Sequence, residues 1–224
     1  MQGIMETLFD IVYLLTVIII GIWMIKNSKG NRQFRLFGIM AVILGCGDAF
    51  HLIPRSYALL TTGLEENAAA LGFGKLVTSI TMTLFYLILY NIWRIRYKVA
   101  SRKFFSTIIY ILAAVRITLC CFPQNKWFSI NSPICWGIYR NIPFAILGAV
   151  IILLFFIEAR KHHDHAFGFM WLAITLSFGL YIPVVLFSST LPIIGILMIP
   201  KTLAYVWIIL MGFFDLKKFR EHMY

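Results

Sequence analysis

The chain has 224 residues, 61% of them hydrophobic and 13% charged, against roughly 45–50% and about 25% in an average soluble domain. With a mean hydropathy of +0.86, that balance excludes a soluble cytosolic enzyme, a nucleic-acid-binding domain and a disordered chain. It points to an all-α, polytopic membrane protein. The net charge of +11 imitates a nucleic-acid binder, but the lysines and arginines gather in short stretches between apolar runs. That is how topology determinants sit beside anionic lipid.

A helix needs about 20 apolar residues to cross the hydrocarbon core. Seven runs qualify: residues 8–25, 36–53, 71–93, 104–122, 138–157, 166–187 and 193–214. None alternates like a barrel strand, and backbone groups in lipid must be satisfied within the segment, so each reads as a helix. They predict a single seven-helix domain over the whole chain. The first run has Glu6 just before it and Asp10 at its start, with no basic residue ahead of it, the reverse of a secretory signal, so it reads as a retained helix.

Lys26, Lys29, Arg32 and Arg35 follow the first run, and Arg94, Arg96, Lys98, Arg102 and Lys103 the third. Arg160 and Lys161 follow the fifth; Lys217, Lys218 and Arg220 close the chain. The opposite ends hold Arg55, Lys75, Lys126 and Arg140. Positive charge stays inside, so the N-terminus is expected outside and the C-terminus in the cytoplasm, in a bacterial cytoplasmic membrane. The longest connections, about 54–70 and 123–137, then lie outside.

Shifted by 132 residues, residues 14–48 align without a gap on 146–180. Identities include Ile19/Ile151, Ile20/Ile152, Lys29/Lys161, Phe37/Phe169, Ala41/Ala173 and Gly47/Gly179. This predicts a 3+1+3 parallel repeat, with halves at about 5–93 and 138–214 and a linker helix at 104–122. Repeats of this kind frame substrate sites in many transporters.

Ionisable groups inside a membrane cost about 2.5–3.5 kcal/mol on insertion scales, so each needs a reason. In GCGDAFHLIPR, Asp48, His51 and Arg55 are spaced i, i+3, i+7 and share one helical face. Gly45 and Gly47 let another backbone approach the acid. Asp48 suits a base or a proton site, and His51 beside it can titrate near neutral pH. Lys201 lies too deep in the seventh run to snorkel and needs a partner. Asp48 is the carboxylate at comparable depth, so the two are expected to face one another. Pro200 is expected to free a carbonyl toward a cavity, with Tyr205 one turn on. Arg116, Arg140, Arg55 and Lys75 form a cationic rim suited to carboxylate or phosphate. Lys75, Ser79, Thr83, Tyr86 and Tyr90 make a polar stripe, read either as a water-lined path or as interhelical hydrogen bonding. Pro183 is expected to kink the sixth helix. Lys161-His162-His163-Asp164-His165 reads as a solvated loop rather than a metal site, and Cys120 or Cys121 can bridge Cys135. The sequence calls for no cofactor and no metal.

Through GCGDAFHLIPR, GIYRNIPFA and IPKTLAYVW the chain resembles an uncharacterised seven-helix family of Gram-positive anaerobes, which implies no activity. Through Gly47-Asp48, Leu71-Gly72 and the run from Pro200 to Tyr205 it is distantly similar to bacterial lysoplasmalogenase-like membrane proteins. That resemblance implies hydrolysis of a lysolipid vinyl ether by intramembrane acids. It departs where that family has a second acid on a late helix, for here the sixth run offers Tyr181, Ser188 and Ser189. The layout also resembles sugar transporters and microbial rhodopsins, although the third helix lacks the acidic counter-ion a retinal lysine needs. One intramembrane histidine is too few for a zinc hydrolase.

The leading expectation is an outward-facing intramembrane pocket for a small anionic or zwitterionic ligand, in the manner of a transporter or sensor. Its candidate residues are Asp48, His51, Arg55, Arg116, Arg140, Lys201, Tyr205, Ser79 and Tyr86. The rival is a lysolipid hydrolase using Asp48 and His51, and a third reading makes the ion pairs purely structural. The expected partners are membrane lipids, not nucleic acid.

Overall fold

A computed structural model describes residues 2–61, 63–99, 103–129, 132–187 and 191–222; Arg102, Ser188 and Ser189 lie outside them. The described residues are all-helical, without strands. Seven helices are long and apolar enough to cross a membrane. They are α1 (Gln2–Asn27), α2 (Arg32–Leu60), α3 (Ala68–Arg96), α4 (Lys103–Cys121), α5 (Ile134–Lys161), α6 (Met170–Phe187) and α7 (Met198–Glu221). Short 3-10 turns, Pro123–Asn125 and Pro192–Leu197, precede α5 and α7.

The helices run up and down, so one end of the bundle gathers the starts of α1, α3, α5 and α7. We call it the amino-terminal end. Small residues set the spacing there and below. A Cβ on Gly21 would meet the Gly38 carbonyl, and one on Gly38 the Gly21 carbonyl, so α1 and α2 touch backbone to backbone. Gly47 of α2 receives Thr81 of α3, and Gly74 of α3 lies against the Phe50 carbonyl and His51 Cα. Pro54 explains part of that contact. It stands inside α2 and cannot donate to the carbonyl four residues back, which is that of Phe50.

The expected connection over 54–70 is therefore shorter than the sequence implies. One missing hydrogen bond does not end α2, and the helix continues to Leu60. Pro200 sits in the first turn of α7, which continues directly from the 3-10 turn Pro192–Leu197.

α3 is the central helix. Its Tyr86 ring packs on Phe144 of α5 and Phe178 of α6, and Phe85 packs on Tyr205 of α7. Tyr86 and Tyr90 share hydrogen bonds with Ser177 of α6 and Ser106 of α4, at 2.8 and 2.7 Å.

The far end is held by a polar clasp. Arg96 of α3 pairs with Asp164, in the α5–α6 connection, and with Asp215 of α7 at 2.7 Å. It also stacks on the Phe167 ring. Gln33 of α2 donates to Asp215, and the Tyr97 hydroxyl to Asp164. Asp164 Oδ1 also accepts the amides of Ala166 and Phe167. The 161–165 stretch is thus only partly a solvated loop: its histidines are exposed, while its acid is a structural anchor. Burial alone would raise the Asp164 carboxyl. The Arg96 guanidinium, the Tyr97 hydroxyl and the Phe167 amide outweigh that and hold it below the ordinary carboxylate value.

Candidate functional site

The amino-terminal half contains a chain of polar groups crossing the bundle. It begins on α1, where Glu6, Asp10 and Tyr13 are spaced i, i+4, i+7 and face α2. Glu6 pairs with Arg55. Asp10, 6% exposed, receives the Ser56 hydroxyl at 3.4 Å. Tyr13 donates to Asp48 Oδ2 at 2.7 Å. Asp48 lies about 18 Å along α2 from its Leu60 end, at 1.5 Å per residue.

Lys201, 7% exposed, occupies the first turn of α7. It and Asp48 lie within each other's electrostatic reach, as expected, but not within the 4.0 Å of a contact ion pair. Its ammonium rests instead over two aromatic faces, 4.6 Å from the Tyr181 ring centre and 5.2 Å from that of Tyr205.

Arg116 of α4 is 2% exposed. Its guanidinium carbon lies 3.1 Å from the centre of the Phe144 ring, and Nε and Nη1 meet no hydrogen-bond partner. The groups that reach it electrostatically include Tyr181, Cys120, Tyr205, Tyr86 and Lys201, none a carboxylate, and its side-chain hydrogen-bond partner is the Cys120 thiol.

The other candidates divide. His51 faces α3 beside the Leu71 backbone and Lys75, with Nδ1 buried and unbonded. Arg55 is taken up by Glu6. Arg140 donates to Asn125 at 2.9 Å and stacks on Trp127. Asn125 and Trp127 in turn bond the last carbonyls of α4, so this arginine braces a helix cap. Ser79 and Thr83 bond back to their own helix, at Lys75 and Ser79. With Tyr86 and Tyr90 pairing to neighbouring helices, these hydroxyls are engaged in hydrogen bonds within and between helices. All four cysteines are free, so Cys135 forms no bridge.

Asp10 was missed by sequence reasoning, where Asp48 was the lone deep carboxylate. The signal was present: Asp10 and Tyr13, three apart on one face, cannot both point to lipid. No group of three or more potential metal ligands occurs among the described residues.

Two concavities stand out, and neither is lined by Asp48, His51 or Lys201. One, about 440 Å³, lies at the far end around Arg160, His163 and His165. The other, about 150 Å³, is an apolar cleft between α5 and α6 that reaches Phe144 and Tyr181. Compared with family models, with curated proteins and with solved structures, the chain matches none of them.

Proposed function

We propose that this is an integral protein of a bacterial cytoplasmic membrane, N-terminus outside, that binds a small anionic or zwitterionic ligand in the manner of a transporter or sensor. The supporting observation is the pair Arg116 and Lys201, two buried cations with no carboxylate in contact. A buried, uncompensated charge costs several kcal/mol, and an anion between them supplies what the protein omits. Asp48 balances one of the two and is the group through which a proton can be exchanged when the ligand enters. The placement of the cluster in the amino-terminal half, with the basic connections at the other end, favours an outward-facing site.

The test is mass spectrometry of lipids and metabolites that co-purify with the protein, against Asp48→Asn and Lys201→Met. An anion carried by the wild type is expected to be depleted about tenfold in Lys201→Met, the effect of losing one charged contact, and kept or enriched in Asp48→Asn, which removes a like charge; a zwitterion whose cation rests on Asp48 is expected to be depleted in both. Equal content in all three would show that the cluster binds nothing.

One observation favours the hydrolase as a second reading. Asp10 is a second buried acid within electrostatic reach of Asp48, so a two-carboxylate site is available on α1 and α2 instead of a late helix. Water would add across a vinyl ether, releasing an aldehyde and a glycerophospholipid headgroup. Aldehyde release from an alkenyl lysolipid, absent in Asp48→Asn, distinguishes it.

A further inference from the structure

Arg116 has no acid near it for a reason visible in the chain. α3, α4 and α6 contain no Asp or Glu, and the one acid of α5, Glu158, lies at the far end. A cation–π contact returns less than the burial of a guanidinium with two unpaired nitrogens costs. The Phe144 ring that covers it also lines the α5–α6 cleft. Tyr181, another aromatic of the cleft beside Phe178, carries Lys201 over its ring. Two of the cleft's rings therefore also touch the two cations. Ile142 and Ile182 line the same cleft and are exposed, so it opens on the flank of the bundle, where hydrocarbon would lie. Its side-chain polar groups are Asn141 and the Tyr181 hydroxyl, bonded to one another at 3.3 Å. Pro143 and Pro183 interrupt the ladders of α5 and α6 beside it and leave both helices free to part.

We infer that the cleft and the cations behind it bind a long-chain carboxylate, its chain between α5 and α6 and its headgroup drawn past Phe144 and Tyr181 to Arg116 and Lys201. This rests on the anionic ligand proposed above and adds its chemistry and its route. Two cations against one acid, Asp48, leave a single positive charge, which a carboxylate neutralises and a phosphate dianion overshoots. A hydrocarbon chain passes from lipid into an apolar cleft at little cost, whereas a fully hydrophilic anion would have to cross hydrocarbon to use that entrance.

The protein in neutral phosphatidylcholine nanodiscs is photolabelled with a diazirine-bearing palmitate, and the labelled peptides are mapped. Labelling is expected in α5 and α6. Unlabelled palmitate should suppress it and hexadecanol, the same chain without the charge, should not. Arg116→Gln and Val185→Trp should each weaken it about tenfold, the second by filling the cleft without touching either cation. Equal competition by hexadecanol, or full labelling in Val185→Trp, overturns the site. Hexadecyl phosphate competing better than palmitate overturns the choice of carboxylate. Should Arg116→Gln fail to fold, Val185→Trp and the competitors decide alone. A co-purifying anion lost in Lys201→Met, with no palmitate labelling, sinks the acyl route and leaves the anion site standing.

Discussion

Arg96 and Arg116 are both drawn into the bundle, and they are treated in opposite ways. Arg96 has two carboxylates, a stacked Phe167 ring and neighbours that hold those carboxylates in place. Arg116 has one ring, the Cys120 thiol and two unbonded nitrogens, and no carboxylate. The same side chain thus serves as a finished joint at one end and as an open valence in the other half. A protein can keep the first for stability alone. The second is a cost to the bundle, one that the anion proposed above would offset.

Four experiments break or sharpen that contrast. Replacing Arg96 by Met leaves Asp164 and Asp215 facing each other without a cation. Thermal unfolding in detergent should register a loss of about 3–5 kcal/mol, the usual cost of removing one partner of a buried pair. Tyr13→Phe tests Asp48 as an intermediate case, an acid with one short hydrogen bond. Removing that bond should cost about 1.5–3 kcal/mol. Arg116→Met should move the other way, leaving the empty protein unchanged or about 1 kcal/mol more stable while abolishing capture of the anion. A loss as large as that of Arg96→Met would make Arg116 an ordinary structural residue.

The smallest effect is on pH. The Asp164 carboxyl is held below its unfolded value of about 3.9. Its contribution is therefore complete above that value and disappears as pH falls through the lower native one. Asp164→Asn should flatten the acid limb of the unfolding profile, whereas Arg116→Met should leave it unaltered.

The seven helices were legible because twenty-residue apolar runs have few alternative fates. Helix ends were less so. α2, α3 and α5 run past their apolar runs, since polar residues remain helical where neighbours pair with them, as Arg55 does with Glu6. Asp48, Lys201 and Arg116 announced themselves as charges at depth, and the structure brings them into one half. What the sequence could not reveal was pairing. Arg140 looked like part of a ligand wall and is committed to Asn125; Asp164 looked solvated and anchors the far end. Both outcomes depend on partners from other elements, 15 and 68 residues away, and no local pattern records them.

The three interior prolines, Pro54, Pro143 and Pro183, all fall in the amino-terminal half, whereas the clasp around Arg96 fastens the other. Stiffness is thus expected to be graded along the bundle axis, like tweezers joined at the base. Such an object gapes at its tips without loosening its root, so amide hydrogen exchange should be rapid near those prolines and slow beside Trp93. The ligand proposed above would then be taken in at the tips, and handing it to the opposite face would require the root itself to be undone.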